Sequence, residues 1–489
     1  MTLTVYNTLT RSKSPFQTIE ENKVRMYCCG ITVYDYCHLG HARTCLVWDV
    51  VRRYLRWSGY EVNYIQNFTD IDDKILNRAS KEGTSMEAVS EKYIAAYFED
   101  MERLGVGKAD AYPRATHTLD GIKRLVYELE QKGFAYPSQG DVYYSVRKFP
   151  EYGKLSGRKL EDMQAGASGR VDAEDPEANK KQDPFDFALW KAAKEGEPAW
   201  ESPWGNGRPG WHIECSAMVR ERLGETIDIH VGGGDLTFPH HENEIAQSEA
   251  VTGKPLANYW LHNGMINVEG SKMAKSVGNF TTIREMLEEY EAMAVRLFIL
   301  QAQYRKPLDF TKKALLSATS GWSTLKEGLL FGDRYSEKLG FETSPPAPLL
   351  RGEGNKIDKD IIARFKEAVD DDFNFAGGLA ILFEIAKNLE KESNLIVHGE
   401  ENQTSNSELE QQWLTLVHLA NILGFTAQLE EEDNSDGLSD ADIDALVQQR
   451  IDARKNKNYA EGDRIRDELQ AQGITLIDKP GGVTIWNRS

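Results

Sequence analysis

The 489-residue sequence predicts an α/β fold: an open sheet crossed by helices, then a helical region, then a small mixed α/β ending. Three observations predict it. Near the start, two apolar runs flank a segment of helical periodicity, the pattern of a strand–helix–strand crossing. From Ile357 to Gly424 apolar residues recur at helical spacing. At the end, Gly473–Asp478 and Gly481–Trp486 read as a short hairpin. A chain of this length exceeds one core, so three or four domains are expected.

Taken in order, Val24–Cys29 is a short buried strand. Leu46, Val47, Val50, Val51, Tyr54 and Leu55 put a helix over residues 40–58, with Gly59 as its stop. Glu61–Thr69 is the next strand. His38 and His41 therefore stand where the first strand passes into the helix. In open α/β sheets ligands bind beyond the carboxyl ends of strands, where a helix N-terminus receives phosphate. Gly40, between the histidines, lets a ligand approach closely. Far downstream, Lys272-Met273-Ala274-Lys275-Ser276 places two lysines at i and i+3, with Gly270 before them. Two histidines and two lysines are groups that stabilise a polyphosphate transition state, so the pair of segments points to nucleotide activation. Two surface histidines near a turn are the plainer reading of the first segment alone.

A second constellation points to a metal. Pro239 suits a helix start, and His240 and Glu244 then share one helical face at i and i+4. Imidazole and carboxylate on one face make a half-site for zinc. Cys215 is a candidate third ligand, and Cys28 or Cys29 a fourth; His241, at i−3 from Glu244, competes with His240. Against this stands the use of buried cysteines as small hydrophobes.

Composition narrows the class. No apolar run approaches the roughly 20 residues of a membrane helix, and Met1–Lys13 has no secretory apolar region, so a cytoplasmic protein is expected. Five cysteines, four of them between residues 28 and 45, do not form a disulfide framework. The net charge of −19 excludes a wholly basic nucleic-acid-binding surface. Charge is uneven, however: residues 392–449 contain no Lys or Arg, whereas Arg450, Arg454, Lys455 and Arg464 recur beyond. A locally basic helix can contact phosphates, or simply be a solvated face.

Six segments carry a resemblance that none of these arguments supplies. They are Cys29–His41, Phe68–Lys74, Gly210–Met218, Gly232–Asp235, Pro239–Glu244 and Lys272–Ser276. In this order the chain resembles the cysteinyl-tRNA synthetases, class I aminoacyl-tRNA synthetases, along nearly its whole length. The resemblance implies a Rossmann-like catalytic domain over 1–120 and 205–310, interrupted by a connective segment at 121–204. A helical joint at 311–343, a Pro/Gly-rich linker or insertion at 344–356, a helical tRNA-binding bundle at 357–430 and an anticodon-binding domain at 441–489 would follow.

It also implies a chemistry. Cysteine would be activated with ATP and Mg²⁺ to the adenylate, then passed to the 3′-terminal adenosine of tRNA(Cys). One Zn²⁺ per chain, held by Cys29, Cys215, His240 and Glu244, would select the substrate thiolate. His38, His41, Lys272 and Lys275 would stabilise phosphate charge, and Gly40, Gly232, Gly233, Asp235 and Lys275 would hold ATP. The family pattern usually has Ser where this chain has Ala274, which removes one hydroxyl but neither lysine. Gly30, Thr32, Thr69, Trp211 and His230 would line the amino-acid pocket. Arg450, Arg454, Lys455, Arg464 and Trp486 would meet tRNA, although Trp486 also fits a core. A monomer is expected by analogy.

Two rivals follow. A cysteine ligase acting on an amino sugar, as in mycothiol synthesis, shares the catalytic core but needs no anticodon module. A non-catalytic zinc-dependent nucleic-acid binder leaves Lys272–Ser276 and Gly232–Asp235 without a use.

Overall fold

The computed structural model describes residues 2–162, 178–268, 270–272, 281–341, 356–429, 440–456, 458–479 and 483–488. Lys275 and most of the linker expected at 344–356 lie outside them. The chain divides into two compact units, Met1–Ala427 and Gln428–Ser489.

The first unit opens with a hairpin, β1 (Thr4–Asn7) and β2 (Ser12–Pro15). Strand β3 (Lys23–Thr32), helix α1 (Leu39–Trp57) and strand β4 (Glu61–Thr69) form the expected crossing. Gly59 follows α1 with φ +100°, a conformation that ends the helix where a side chain would be strained. Helices α2 (Asp73–Glu82) and α3 (Met86–Arg103) complete this half. After the connective region come α5 (Trp211–Arg222), β9 (Ile227–Gly233), α6 (His240–Thr252) and β10 (Ala257–Asn263). The central sheet has the order β10-β9-β3-β4, with every neighbour parallel. From β3 the chain moves outward to β4, then returns to the other side of β3 for β9. The reversal opens a crevice at the carboxyl ends of β3 and β9, the usual ligand position in such a sheet. β9 is buried along its whole length although its sequence alternates Ile227-Asp228-Ile229-His230-Val231, so its polar residues are enclosed rather than turned to solvent.

The connective region holds α4 (Leu119–Gln131) and an antiparallel sheet of β5 (Ala135–Ser138), β6 (Asp141–Tyr144), β7 (Phe187–Ala192) and β8 (Gly207–Pro209). A third sheet joins β11 (Ile266–Val268), β12 (Ser271–Lys272) and β13 (Leu308–Phe310). Helices α7 (Ile283–Glu289) and α8 (Ala292–Leu300) lie between β12 and β13 in sequence. The unit ends in α9 (Lys312–Leu329), α10 (Phe331–Leu339), α11 (Lys359–Val369), α12 (Phe375–Val397) and α13 (Asn406–Ile422). These helices do not stand apart from the sheet. One apolar core runs from Val5 and Leu46 through Leu297 to Phe365, Leu382 and Phe425.

A loop between α11 and α12 pins this union. Asp372 and Phe373 both take left-handed backbone, φ 61° and 51°. Thr4 N–H donates to Asp370 O at 2.8 Å, and Asp372 N–H to Thr4 O at 2.9 Å. The fully buried Asp372 carboxylate accepts from Tyr6 N at 2.8 Å, Tyr304 Oη at 3.0 Å and Arg305 Nε at 2.8 Å. Tyr54 Oη donates to Asp370 Oδ1 at 2.6 Å. Left-handed backbone at two side-chain-bearing residues persists only when its surroundings over-determine it, as these bonds do.

The second unit contains α14 (Asp440–Lys455), α15 (Tyr459–Ala471) and the hairpin of β14 (Ile474–Lys479) and β15 (Val483–Arg488). Its small core is Ile443, Val447, Ile465, Leu469 and Ile474. Trp486 packs against that core, and its Nε1 donates to Asp444 Oδ1 at 2.8 Å. Arg450, expected at a tRNA surface, is only 3 % exposed, and its Nη1 donates to Thr484 Oγ1 at 3.1 Å. It braces the hairpin from inside, and its charge pattern alone did not reveal that. Arg454, Lys455 and Arg464 remain exposed.

Candidate metal centre and active site

Two cysteines stand side by side in β3, and strand alternation separates them. Cys28 faces α1 and joins the core of Val47, Val50 and Tyr64. Cys29 faces the opposite layer with Cys215 and Trp260. Cys215 is in α5, which packs on α6, the helix carrying His240 and Glu244. Donor atoms of Cys29, Cys215, His240 and Glu244 consequently lie within 4.8 Å of one another, all buried. Cys29 Sγ is 3.7 Å from Cys215 Sγ and 3.2 Å from Glu244 Oε1, and His240 Nε2 is 3.1 Å from the same oxygen. The expected quartet is assembled, and the choice between Cys28 and Cys29 has a geometric basis.

A second grouping, Cys29 with His230, His241 and Glu244, shares two of these residues. His230 Nε2 lies 2.9 Å from Glu244 Oε2, whereas Cys29 and His240 contact Oε1. Of these residues only His230 is on the Oε2 side; Cys29 and His241 approach Oε1, at 3.2 Å and 4.0 Å. His230, expected to line the amino-acid pocket, is fully buried behind Glu244 and orients it. Beyond it His241 Nδ1 sits 2.8 Å from His262 Nε2, and His262 Nδ1 sits 2.8 Å from Thr8 Oγ1. Nothing in the sequence pattern marked His262 or Thr8; they arrive from β10 and the loop after β1.

The cluster is electrostatically polarised. Hydrogen bonding from Cys29 lowers the Cys215 thiol to about 6, against burial and the Glu244 charge. Burial, then the Cys215 contact, drives Cys29 well above its ordinary value. Burial opposes a charged His240, but Glu244 and Cys215 outweigh it and lift the imidazole to about 9. Burial also opposes ionised Glu244, yet His230 and His240 hold it well below the usual carboxylate range. The surroundings thus favour negative charge on Cys215 and on Glu244 side by side among buried residues, an arrangement that suits a cation.

This cluster meets a cavity of about 270 Å³ at the carboxyl ends of the strands. Cys29, Gly30, Thr32, His38, Gly40, His41, Trp211, Gly233 and Asp235 are among the residues lining it. Thr69 ends β4 with 4 % exposure and is not among them, and Gly232 instead packs closely on His241. Gly30 sits at a register shift in the β3–β4 pairing, and its N–H donates to Asn67 Oδ1 at 2.8 Å. A Cβ there would stand 1.7 Å from Asn67 O. Gly30→Ala should therefore displace the end of β3, lowering stability by several kcal/mol; thermal unfolding that stays within a degree or two of wild type would refute this packing.

His38 is the N-cap of α1: its Nδ1 accepts from Gly40 N at 3.0 Å and His41 N at 3.4 Å. His38 N–H in turn donates to His41 Nδ1 at 3.2 Å. Both Nδ1 atoms accept, which places the proton of each neutral ring on Nε2. The rings stack at 3.7 Å. The described residues that flank the lysine segment have these partners. Lys272 ends β12, which pairs with β11. On the far side Leu39 N donates to Thr281 O at 3.4 Å, and Ile283 N to Cys37 O at 2.9 Å. Thr281 and Ile283, remote in sequence, thereby meet the chain on either side of His38.

Comparison with known proteins fits this site. A family model for the class I (C) tRNA synthetase catalytic domain matches residues 15–320. A DALR domain matches 364–428, and a cysteinyl-tRNA ligase anticodon binding domain matches 436–485. The cysteine–tRNA ligases of Gloeothece citriformis and Rippkaea orientalis are each 71 % identical over 491 residues, covering all of both chains. The chain belongs to the cysteine–tRNA ligase family. A family member from Synechocystis is 66 % identical over 489 residues, again covering both chains completely. Among solved structures, a Mycobacterium tuberculosis methionyl-tRNA synthetase with methionyl-adenylate is 14 % identical, with a TM-score of 0.53 over 82 % of this chain and 89 % of that one. An Agrobacterium radiobacter LeuRS–tRNA complex is 12 % identical, with a TM-score of 0.56 over 84 % and 85 %. Those two likenesses concern the class I fold that the cysteine–tRNA ligase family shares with them. No described helix is long and apolar enough to cross a membrane.

Proposed function

We propose that this protein activates L-cysteine with ATP and Mg²⁺ and transfers it to the 3′-terminal adenosine of tRNA(Cys), with one Zn²⁺ selecting the substrate. The observation that carries the reading is the quartet Cys29, Cys215, His240 and Glu244, whose Cys29 lines a cavity that also holds His38 and His41. Its spacing suits a tetrahedral zinc. Zn–S bonds of about 2.3 Å give an S–S edge of about 3.8 Å, and N/O bonds give edges of about 3.3 Å. The corresponding separations are 3.7 Å and 3.1 Å.

Selection is the hard part of this chemistry. Serine differs from cysteine by oxygen for sulfur, and an apolar pocket separates such near-isosteres by only about 1–3 kcal/mol. A bound zinc would supply strong preference for a thiolate over a hydroxyl. The chain's own residues do the rest. Buried His230 fixes the Glu244 carboxylate through Oε2, leaving Oε1 to the cluster. His38 and His41 stand at the N-terminus of α1, where phosphate charge is stabilised. Lys272 and Lys275 would supply further cationic charge to the phosphates. Gly233 and Asp235 bound the adenosine side, and Gly30, Thr32 and Trp211 the amino acid. Arg454, Lys455 and Arg464 are the surface cations offered to tRNA.

The amino-sugar ligase reading loses its ground to the anticodon-binding match at 436–485. The test joins three measurements on purified protein: zinc content, cysteine-dependent exchange of pyrophosphate into ATP, and charging of tRNA(Cys) with cysteine and with serine. About one zinc per chain, exchange with cysteine and charging with cysteine alone are expected. Exchange without tRNA charging would overturn the tRNA reading, and no exchange would overturn activation.

A further inference from the structure

The cavity is lined from two sides of the sheet, and adenylate formation as proposed above gives no role to Tyr34 or Lys74. Gly233, Asp235 and Asn263 reach it from the β9 and β10 side of the sheet. Tyr34 and Lys74 reach it from the opposite side, just beyond β3 and β4. The Lys74 ammonium lies over the Tyr34 ring, 5.1 Å from its centroid. Lys74 is exposed and Tyr34 half-buried.

Helix stability does not explain this lysine. Lys74 is in the first turn of α2, where a cation opposes the helix macrodipole. Nor is it held by the acids around it. Asp72 caps the helix through Lys74 N–H at 2.9 Å. Asp73 pairs with Arg208 and lies 3.7 Å from Lys191 Nζ. Asp35 lies 4.0 Å from Arg78. Among the described residues Lys74 makes no ion pair, on a chain whose net charge is −19. An aromatic face with a cation beside it, at the mouth of a pocket, is the pairing that receives an unpaired nucleotide: base on ring, phosphate on ammonium.

We propose that Tyr34 and Lys74 receive the single-stranded 3′ end of tRNA, so that they position the acceptor for the transfer step and take no part in activating cysteine. This rests on the tRNA-charging function proposed above. ATP would occupy the β10 side, and the polynucleotide would enter from the β4 side, the two meeting at the cluster around Cys29. The strand order leaves these two approaches distinct.

The experiment uses the full-length zinc-loaded protein and the variants Y34A, K74A, Y34F and K74R. Cysteine-dependent pyrophosphate exchange is measured beside kcat/KM for tRNA(Cys) charging and its salt dependence. Exchange should stay within about twofold of wild type in all four, which also shows that they fold. Charging by Y34A and by K74A should fall about tenfold or more, the scale of one lost stacking or phosphate contact. Y34F and K74R should recover to within about threefold, and K74A should flatten the salt dependence. Equal losses in exchange and charging would overturn the proposal by assigning the pair to ATP or cysteine. Unchanged charging would overturn it by reducing the pair to a surface contact. Absence of exchange in the wild-type protein would instead strike the function on which the proposal rests.

Discussion

Cys215→Ala is expected to lose its zinc and, with it, cysteine activation. The side chain supplies one of two sulfur donors, and it is the thiol that the cluster already favours as thiolate, lowered to about 6 by the Cys29 hydrogen bond. Removing it leaves three donors and takes away the partner of Cys29 Sγ. A metal that polarises its ligand contributes several kcal/mol to such a reaction. The loss in cysteine-dependent pyrophosphate exchange should be about a thousandfold or more. Zinc content should drop from about one per chain to near zero. Cys28→Ala is the control, since Cys28 faces α1 and the other core layer; it should keep its metal. A Cys215→Ala protein that still holds zinc and still prefers cysteine over serine would defeat the assignment.

His38 should separate two duties when replaced in two ways. Its Nδ1 caps α1, and the residue also lines the cavity. Asparagine is a good N-cap, so His38→Asn should unfold within about 0.5 kcal/mol of wild type, whereas His38→Ala should lose about 1 kcal/mol. Both should lose exchange activity by about a hundredfold to a thousandfold, the usual size of one lost donor to developing charge. Thermal unfolding and exchange kinetics measured together decide it. If the asparagine variant keeps the wild-type rate, His38 is a cap and nothing more.

Much of the fold was legible because its signals are local. The periodicity of Leu46 to Leu55 marked α1, which spans Leu39–Trp57, and Glu61–Thr69 is β4 as expected. The metal quartet was half legible. His240 and Glu244 share a helical face at i and i+4, which spacing alone reveals. The choice of Cys29 needed to know which face of β3 meets α5, and that is set by packing from distant residues. His230 failed as a pocket residue for the same reason: its place in β9 faces Glu244. Arg450 was misplaced because a charge count along a helix does not say which face turns inward. That the helices from α9 onward share a core with the sheet was not legible either, because it depends on contacts between residues far apart in sequence.

The union between the chain's start and its helical region has a further consequence. Asp370 O accepts from Thr4 N, and the Asp372 carboxylate accepts from Tyr6, Tyr304 and Arg305. Every one of those donors is synthesised before the residue that satisfies it, Thr4 and Tyr6 by most of the length of the chain. Synthesis on a ribosome is vectorial, at roughly 5–20 residues per second. The first strand of the protein therefore emerges well over ten seconds before its clasp exists. Once β10 has been made, its bonds to Asn7 and Thr8 can seat the hairpin on the central sheet, but the second clasp waits for the loop after α11. Completion of the catalytic half is thus timed by the half that follows it.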